Sequence, residues 1–211
     1  MPLSEPNIII CLERVRELFY QHGVRRVTLE DIRQELGLSA KSMRRTFPTK
    51  QELVKQLLEL ERRNFEVIFE KHNFDGVNSI DVLLTVSKEI SDNYLNISPS
   101  MTFDLKKYYP GIYAQHIDNR VEFIFSQIQL NIKKGIRDGM YRSDLSTELI
   151  SRLYIRRLID IHNPEYFPGK FSFKALFDAM FDNFVRGIGT EEGIRYYEKQ
   201  KEKVSFENGA T

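Results

Sequence analysis

Apolar residues recur at three- and four-residue intervals through nearly all of this 211-residue chain, the spacing that turns one side of a helix toward a core. Ile8, Cys11, Leu12, Val15, Leu18 and Phe19 predict a first helix over about 5–21, with Gly23 past its end. Leu53, Leu57, Leu58, Phe65 and Ile68 predict a long helix over 50–72, broken by Phe74, Asp75 and Gly76. Leu83, Val86, Ile90 and Tyr94 mark another over 79–95. Ser98, followed by Pro99, suits the start of a short helix that must stop before Pro110. A second long helix follows over 112–138, with Ile117, Val121, Ile124, Ile128 and Ile132 inward. The last three cover 147–161, 173–188 and 191–200. The middle one carries Phe173, Leu176, Phe177, Met180, Phe181, Phe184 and Ile188 as a stripe rich in aromatics. No alternating strand pattern and no internal repeat interrupts this, so the class is all-α.

Residues 28–50, TLEDIRQELGLSAKSMRRTFPTK, break the rhythm of long helices. Thr28 followed three residues later by Asp31 is a capping box, and Val27 with Ile32 occupies the staple positions. Ile32 and Leu36 supply one apolar face, and Gly37 suits a left-handed terminus. Ser39 can cap a second helix that Pro48 limits to about two turns. Thr49 with Glu52 caps the next. Met43 and Phe47, four apart, face inward and leave Lys41, Ser42, Arg44 and Arg45 outward. From 39 to 50 there are four cations and no acid. Two short capped helices around a Gly turn, the second basic, have the form of a helix-turn-helix. Arg can grip guanine O6 and N7 together, whereas Lys and hydroxyls hold phosphates. The first helix packs beneath this hairpin to give a three-helix domain, joined through residues 24–27, where Arg25 and Arg26 read as solvated.

The net charge of +1 conceals an asymmetry. Residues 1–50 hold nine Lys or Arg against six acids, a balance of +3, so the remainder carries −2. Nucleic-acid affinity is therefore expected only near the N-terminus. The single cysteine, Cys11, excludes an intrachain disulfide and fits a core position in a reducing compartment. No secretory leader pattern and no apolar run of about 18 residues occurs, so a cytoplasmic location with no membrane partner is expected. His22, His72, His116 and His162 form no H-E-x-x-H pattern, and no P-loop, G-x-G-x-x-G or G-x-S-x-G is present. The reading carries no catalytic residue, metal ligand or cofactor. A few polar groups among aromatics of the central helices, Phe103, Tyr109, Tyr113, His116, Gln127 and Tyr154, suit the lining of a small-molecule cavity.

From Cys11 to Leu53 the sequence resembles the DNA-binding domain of the TetR (tetracycline-repressor-like) family. The features are Leu18-Phe19 with Gly23, Thr28 and Ile32, G-L-S at 37–39 and FPTKQEL at 47–53, in order and in register. Residues 104–113, DLKKYYPGIY, resemble the family's joint between its sixth and seventh helices, and 135–146 its usual turn. Arg44 stands where the family usually has Tyr, Thr46 replaces an aromatic or His, and Arg33 and Leu36 replace two frequent alanines. The resemblance implies a helix-turn-helix domain over 1–50 and a helical ligand-binding and dimerisation domain over 51–211. The expected double-stranded DNA operator contacts are Thr28, Ser39, Lys41, Ser42, Arg44, Arg45, Thr46 and Lys50, with Lys50 on phosphate. It also implies a homodimer, a small-molecule effector and most simply a repressor. The dimer is expected on the last two long helices, from the Phe173 to Ile188 stripe with Ile150, Leu153 and Tyr154. The helix over 50–72 would link hairpin to bundle, with Phe65 and Ile68 packed in the bundle. The competing readings are a small-molecule adaptor that no longer binds DNA and a helical-bundle enzyme.

Overall fold

The computed structural model describes residues 5–94, 99–161, 166–167 and 171–208. Ten helices lie among them: α1 (Glu5–His22), α2 (Leu29–Glu35), α3 (Ala40–Thr46), α4 (Lys50–Lys71), α5 (Ser79–Tyr94), α6 (Pro99–Tyr108), α7 (Pro110–Arg137), α8 (Thr147–Asp160), α9 (Phe173–Ile188) and α10 (Glu191–Asn208). Each predicted helix is present. α7 starts two residues earlier than expected, with Pro110 itself in the first turn where its missing N–H is harmless. α10 runs on past Gln200. The Ser98 cap and His162 lie outside the described residues. Among those described, pairing of the β type is limited to an isolated bridge between Tyr141 and Gly189.

The chain forms two compact units, Met1–Lys71 with Asn96–Arg120, and His72–Leu95 with Val121–Thr211. In the first, one apolar core takes Leu12, Val15 and Phe19 from α1, Ile32 from α2, Met43 from α3, and Leu53, Val54, Leu57, Leu58 and Leu60 from α4. Val24, Val27 and Phe47 join it from the connections. Met101 and Leu105 of α6 complete it, each 3% exposed. The hairpin therefore does not rest on α1 alone. Burying those two side chains contributes roughly 1.5–3 kcal/mol apiece, and Two-turn helices such as α2 and α3 need that tertiary support. Phe65 and Ile68 are buried as expected, but within this unit, where Arg120 lies 5.4 Å over the Phe65 ring. Their partner Arg120 is on α7, within the 51–211 stretch where they were expected to pack, but this part of α7 belongs to the first unit.

The second unit is built from α5, the C-terminal part of α7, and α8 to α10. Phe177, Met180, Phe181, Phe184, Val185 and Ile188 of α9 are all buried. Phe184 packs on Tyr154 of α8 at 4.5 Å between ring centroids, and Phe181 meets Tyr197 of α10 at 6.4 Å. The stripe expected to face a second copy is thus spent inside its own subunit. The buried Asn131 side chain is paired across elements. The Asn131 amide donates to the Ser79 carbonyl at 2.8 Å, and the Tyr141 hydroxyl donates to Asn131 Oδ1 at 3.0 Å. Burial raises the Tyr141 and Tyr154 phenols well above their ordinary range. Among the described residues no helix is long and apolar enough to cross a membrane.

Candidate nucleic-acid interface

Thr28 sits in extended backbone and closes a full capping box: its Oγ1 accepts from Asp31 N at 3.1 Å while its own N–H donates to Asp31 Oδ2 at 2.8 Å. The Thr28 hydroxyl also donates to that carboxylate, so this predicted DNA contact already serves as the cap of α2. Those bonds hold the Asp31 carboxyl below its usual range. Gly37, at φ +62, makes the left-handed turn that an L side chain resists. Arg33 spans the turn, gripping Glu30 through two nitrogens and donating to the Leu38 carbonyl at 3.0 Å. Ser39 Oγ then accepts from Ser42 N at 3.1 Å to start α3, and Gln56 of α4 donates to the Thr46 carbonyl at its end. Thr49 Oγ1 accepts from Glu52 N at 3.0 Å to start α4. Arg14 of α1 reaches both the carbonyl and the carboxylate of Glu35, each at 2.9 Å. The partner of Arg14 and the Leu38 carbonyl contact of Arg33 follow from the fold of the turn, whereas Glu30 lies one helical turn before Arg33.

Met43 and Phe47 point into the core at 4% and 1% exposure. On the opposite side Lys41, Arg44 and Arg45 are exposed, Ser39 likewise, with Ser42 and Thr46 half-buried at the margins. No hydrogen bond or ion pair engages Lys41, Arg44 or Arg45 among the described residues, whereas Arg14, Arg33 and Arg25 nearby are all committed. Lys50 differs from the first group. It is half-buried, its ammonium donates to the Arg25 carbonyl at 3.3 Å and lies 6.0 Å from the Phe19 ring. Burial pulls its pKa down, opposed by the charges of Asp104 and Asp31.

The six residues expected to line a cavity are not brought together in one unit. Phe103 is 60% exposed, with Lys107 lying 5.4 Å from its ring, which corrects its assignment to a cavity wall. Tyr109 and Tyr113 are half-buried against the core of the first unit. His116 is half-buried there too, facing the Leu58 carbonyl, Glu59 and Arg62 of α4 and Arg120 of its own helix. Burial and the Arg120 charge push its pKa down to about 4. Glu61, which the sequence did not single out, is held high by burial against the charges of Arg120 and Arg16, and Tyr20 beside it is pushed up to about 12. Gln127 and Tyr154 belong to the second unit. A groove of about 660 Å³ lies instead between α1 and α2, lined by Arg14, Leu18, His22, Arg26, Val27, Asp31, Gln34 and Glu35. None of the six is among them.

Residues 12–57 match the model of bacterial regulatory proteins of the tetR family. No curated protein matches the chain. Among solved structures, a ketosteroid transcriptional regulator, KstR2, of Mycobacterium tuberculosis is 19% identical, covering 90% of this chain and 98% of that one at a TM-score of 0.53. A TetR-family transcriptional regulator from Agrobacterium tumefaciens is 15% identical over 88% and 99%, at 0.63. A fatty acid degradation regulator, FadR, from Bacillus halodurans is 13% identical over 88% and 97%, at 0.66. At such identities the likeness shows the fold. That fold is the one of TetR-family transcriptional regulators, with a helix-turn-helix domain at the N-terminus and a helical domain after it.

Proposed function

We propose that the protein is a cytoplasmic, dimeric transcriptional repressor that binds a palindromic DNA operator and is released by a small molecule. The observation that carries the DNA reading is the face of α3. Lys41, Arg44 and Arg45 stand exposed, and uncommitted among the described residues, on a helix whose other side is locked into the core by Met43 and Phe47. Arginines so placed suit base edges in the major groove, while Lys41 and the hydroxyls of Ser39, Ser42 and Thr46 suit phosphates. Lys50 retains donors beyond the one given to Arg25 and can add a phosphate contact.

A lone helix-turn-helix reads few bases, so a two-fold pair on a palindrome is the expected arrangement. The surface favouring it is on α8, where Leu149 and Leu153 are 56% and 49% exposed. The effector reading draws on Tyr109, Tyr113 and His116, and on neighbours whose names mention ketosteroid and fatty acid degradation. Release requires that the effector favour a form in which the two α3 helices no longer fit successive major grooves, about 34–36 Å apart. The coupling is reciprocal, so operator DNA must weaken effector binding by the same factor.

The test is selection of duplexes from a random pool by the full-length protein, followed by gel shift. A palindromic consensus bound with steep salt dependence is expected. Failure to enrich any sequence would refute the reading and leave the small-molecule adaptor.

A further inference from the structure

Arg25 lies on the surface in the connection between α1 and α2, yet all its groups are held. Its amide N–H donates to Asp104 Oδ2 of α6 at 2.8 Å, its carbonyl accepts from Lys50 Nζ of α4, and its guanidinium lies 5.2 Å over the Tyr108 ring of α6. Fixing an exposed loop residue this completely opposes considerable conformational entropy. The approach of α6 is close. Gly23 adopts φ +79, and a Cβ there would sit 3.0 Å from Asp104 Oδ2. Asp104 is itself well placed, because Met101 and Leu105 on either side of it are buried in the hairpin's core. Lys50 is a further sign. A cation in the first turn of a helix opposes the helix dipole, and here the charges of Asp104 and Asp31 favour it.

We propose that Asp104 is a positioning residue for operator binding: through the Arg25 amide it fixes the loop that enters the capped helix α2, and so the pose in which α3 is presented. This rests on the DNA-binding reading above. Asp104 touches no base or phosphate in this account. Its effect is on the geometry of base readout, which differs from the sequence-independent attraction between cations and phosphates. Loosening the loop should therefore lower specific binding and spare non-specific binding.

The experiment uses the full-length protein, a duplex it has selected from a random pool, and a scrambled duplex of equal length and composition. Asp104→Ala is expected to weaken binding to the selected duplex by roughly tenfold or more, the scale of a hydrogen bond to a charged group, with the scrambled duplex unchanged. Asp104→Asn, whose amide oxygen can still accept from Arg25 N, should recover most of the loss. Unchanged binding by Asp104→Ala, or equal loss on both duplexes, would overturn the proposal, since a merely destabilised protein loses both alike. Amide exchange in the wild-type protein checks the clasp without any variant: the Arg25 amide should exchange far more slowly than that of Arg26 on the same exposed loop, and equal rates would overturn it. If the wild type prefers no sequence while the Arg25 amide is protected, the DNA reading has failed rather than the clasp, and the positioning role falls with it.

Discussion

Lowering the pH should destabilise this protein through His116, by an amount its surroundings allow to be worked out. The imidazole is half-buried between α4 and α7, where burial and the Arg120 guanidinium oppose its protonation, Arg62 adds to them, and the Leu58 carbonyl and Glu59 act the other way. The net result takes its pKa from the usual 6.5 to about 4. Between those values the unfolded chain binds a proton that the folded one does not, so stability rises with pH there and is level above and below. At about 1.4 kcal/mol per pH unit, the whole window is worth on the order of 3 kcal/mol, and the part between pH 6.5 and 5 about 2 kcal/mol. Glu61, whose carboxyl is raised by burial, works in the opposite sense, gaining stability as the pH falls. The comparison must therefore be differential. Urea unfolding of wild type and His116→Gln at pH 7 and pH 5 should show the wild type losing about 2 kcal/mol more than the variant. Parallel losses would refute the environment assigned to His116.

Arg44→Ala and Arg45→Ala should each weaken the selected duplex by about 1–3 kcal/mol per site in a gel shift at physiological salt, without altering thermal stability. Tyr141→Phe leaves Asn131 Oδ1 buried without its donor, and should lower stability by about 1–3 kcal/mol, read as a fall in Tm of about 2–4 °C per kcal/mol. Leu153→Glu places a charge on the exposed apolar face of α8 and should shift the protein to monomer in light scattering at micromolar concentration; an unchanged mass would move the dimer elsewhere.

What could be read from the sequence was what lies within one helical turn. The Thr28, Ser39 and Thr49 caps each bond a partner three residues on, and the inward pair Met43 and Phe47 follows from helical spacing alone. Phe103 was misread because periodicity marks an aromatic as apolar without saying whether a neighbour covers it, and here Lys107 does so only in part. The α9 stripe failed for a related reason. An aromatic face predicts burial, but Tyr154 and Tyr197 of its own subunit fill it, whereas the plainer Leu149 and Leu153 of α8 stay exposed.

The cations around the hairpin show what the fold adds. In the sequence Lys41, Arg44, Arg45 and Lys50 form one basic stretch from 39 to 50, all four expected on DNA, while Arg25 reads as solvated and nothing marks a partner for Arg14. The folded chain divides them. Arg14 binds Glu35, Arg33 spans the Gly37 turn, and Lys50 and Asp104 hold the Arg25 peptide from either side. Asp104 is 79 residues from its partner, a separation over which no periodic or capping rule carries information. These committed charges fasten the hairpin to the elements around it, and Lys41, Arg44 and Arg45 are left to face outward. On the proposed DNA reading the two groups are complementary: a recognition helix of seven residues cannot hold its own pose, so the specificity of its two arginines would depend on fasteners that do not themselves meet the DNA.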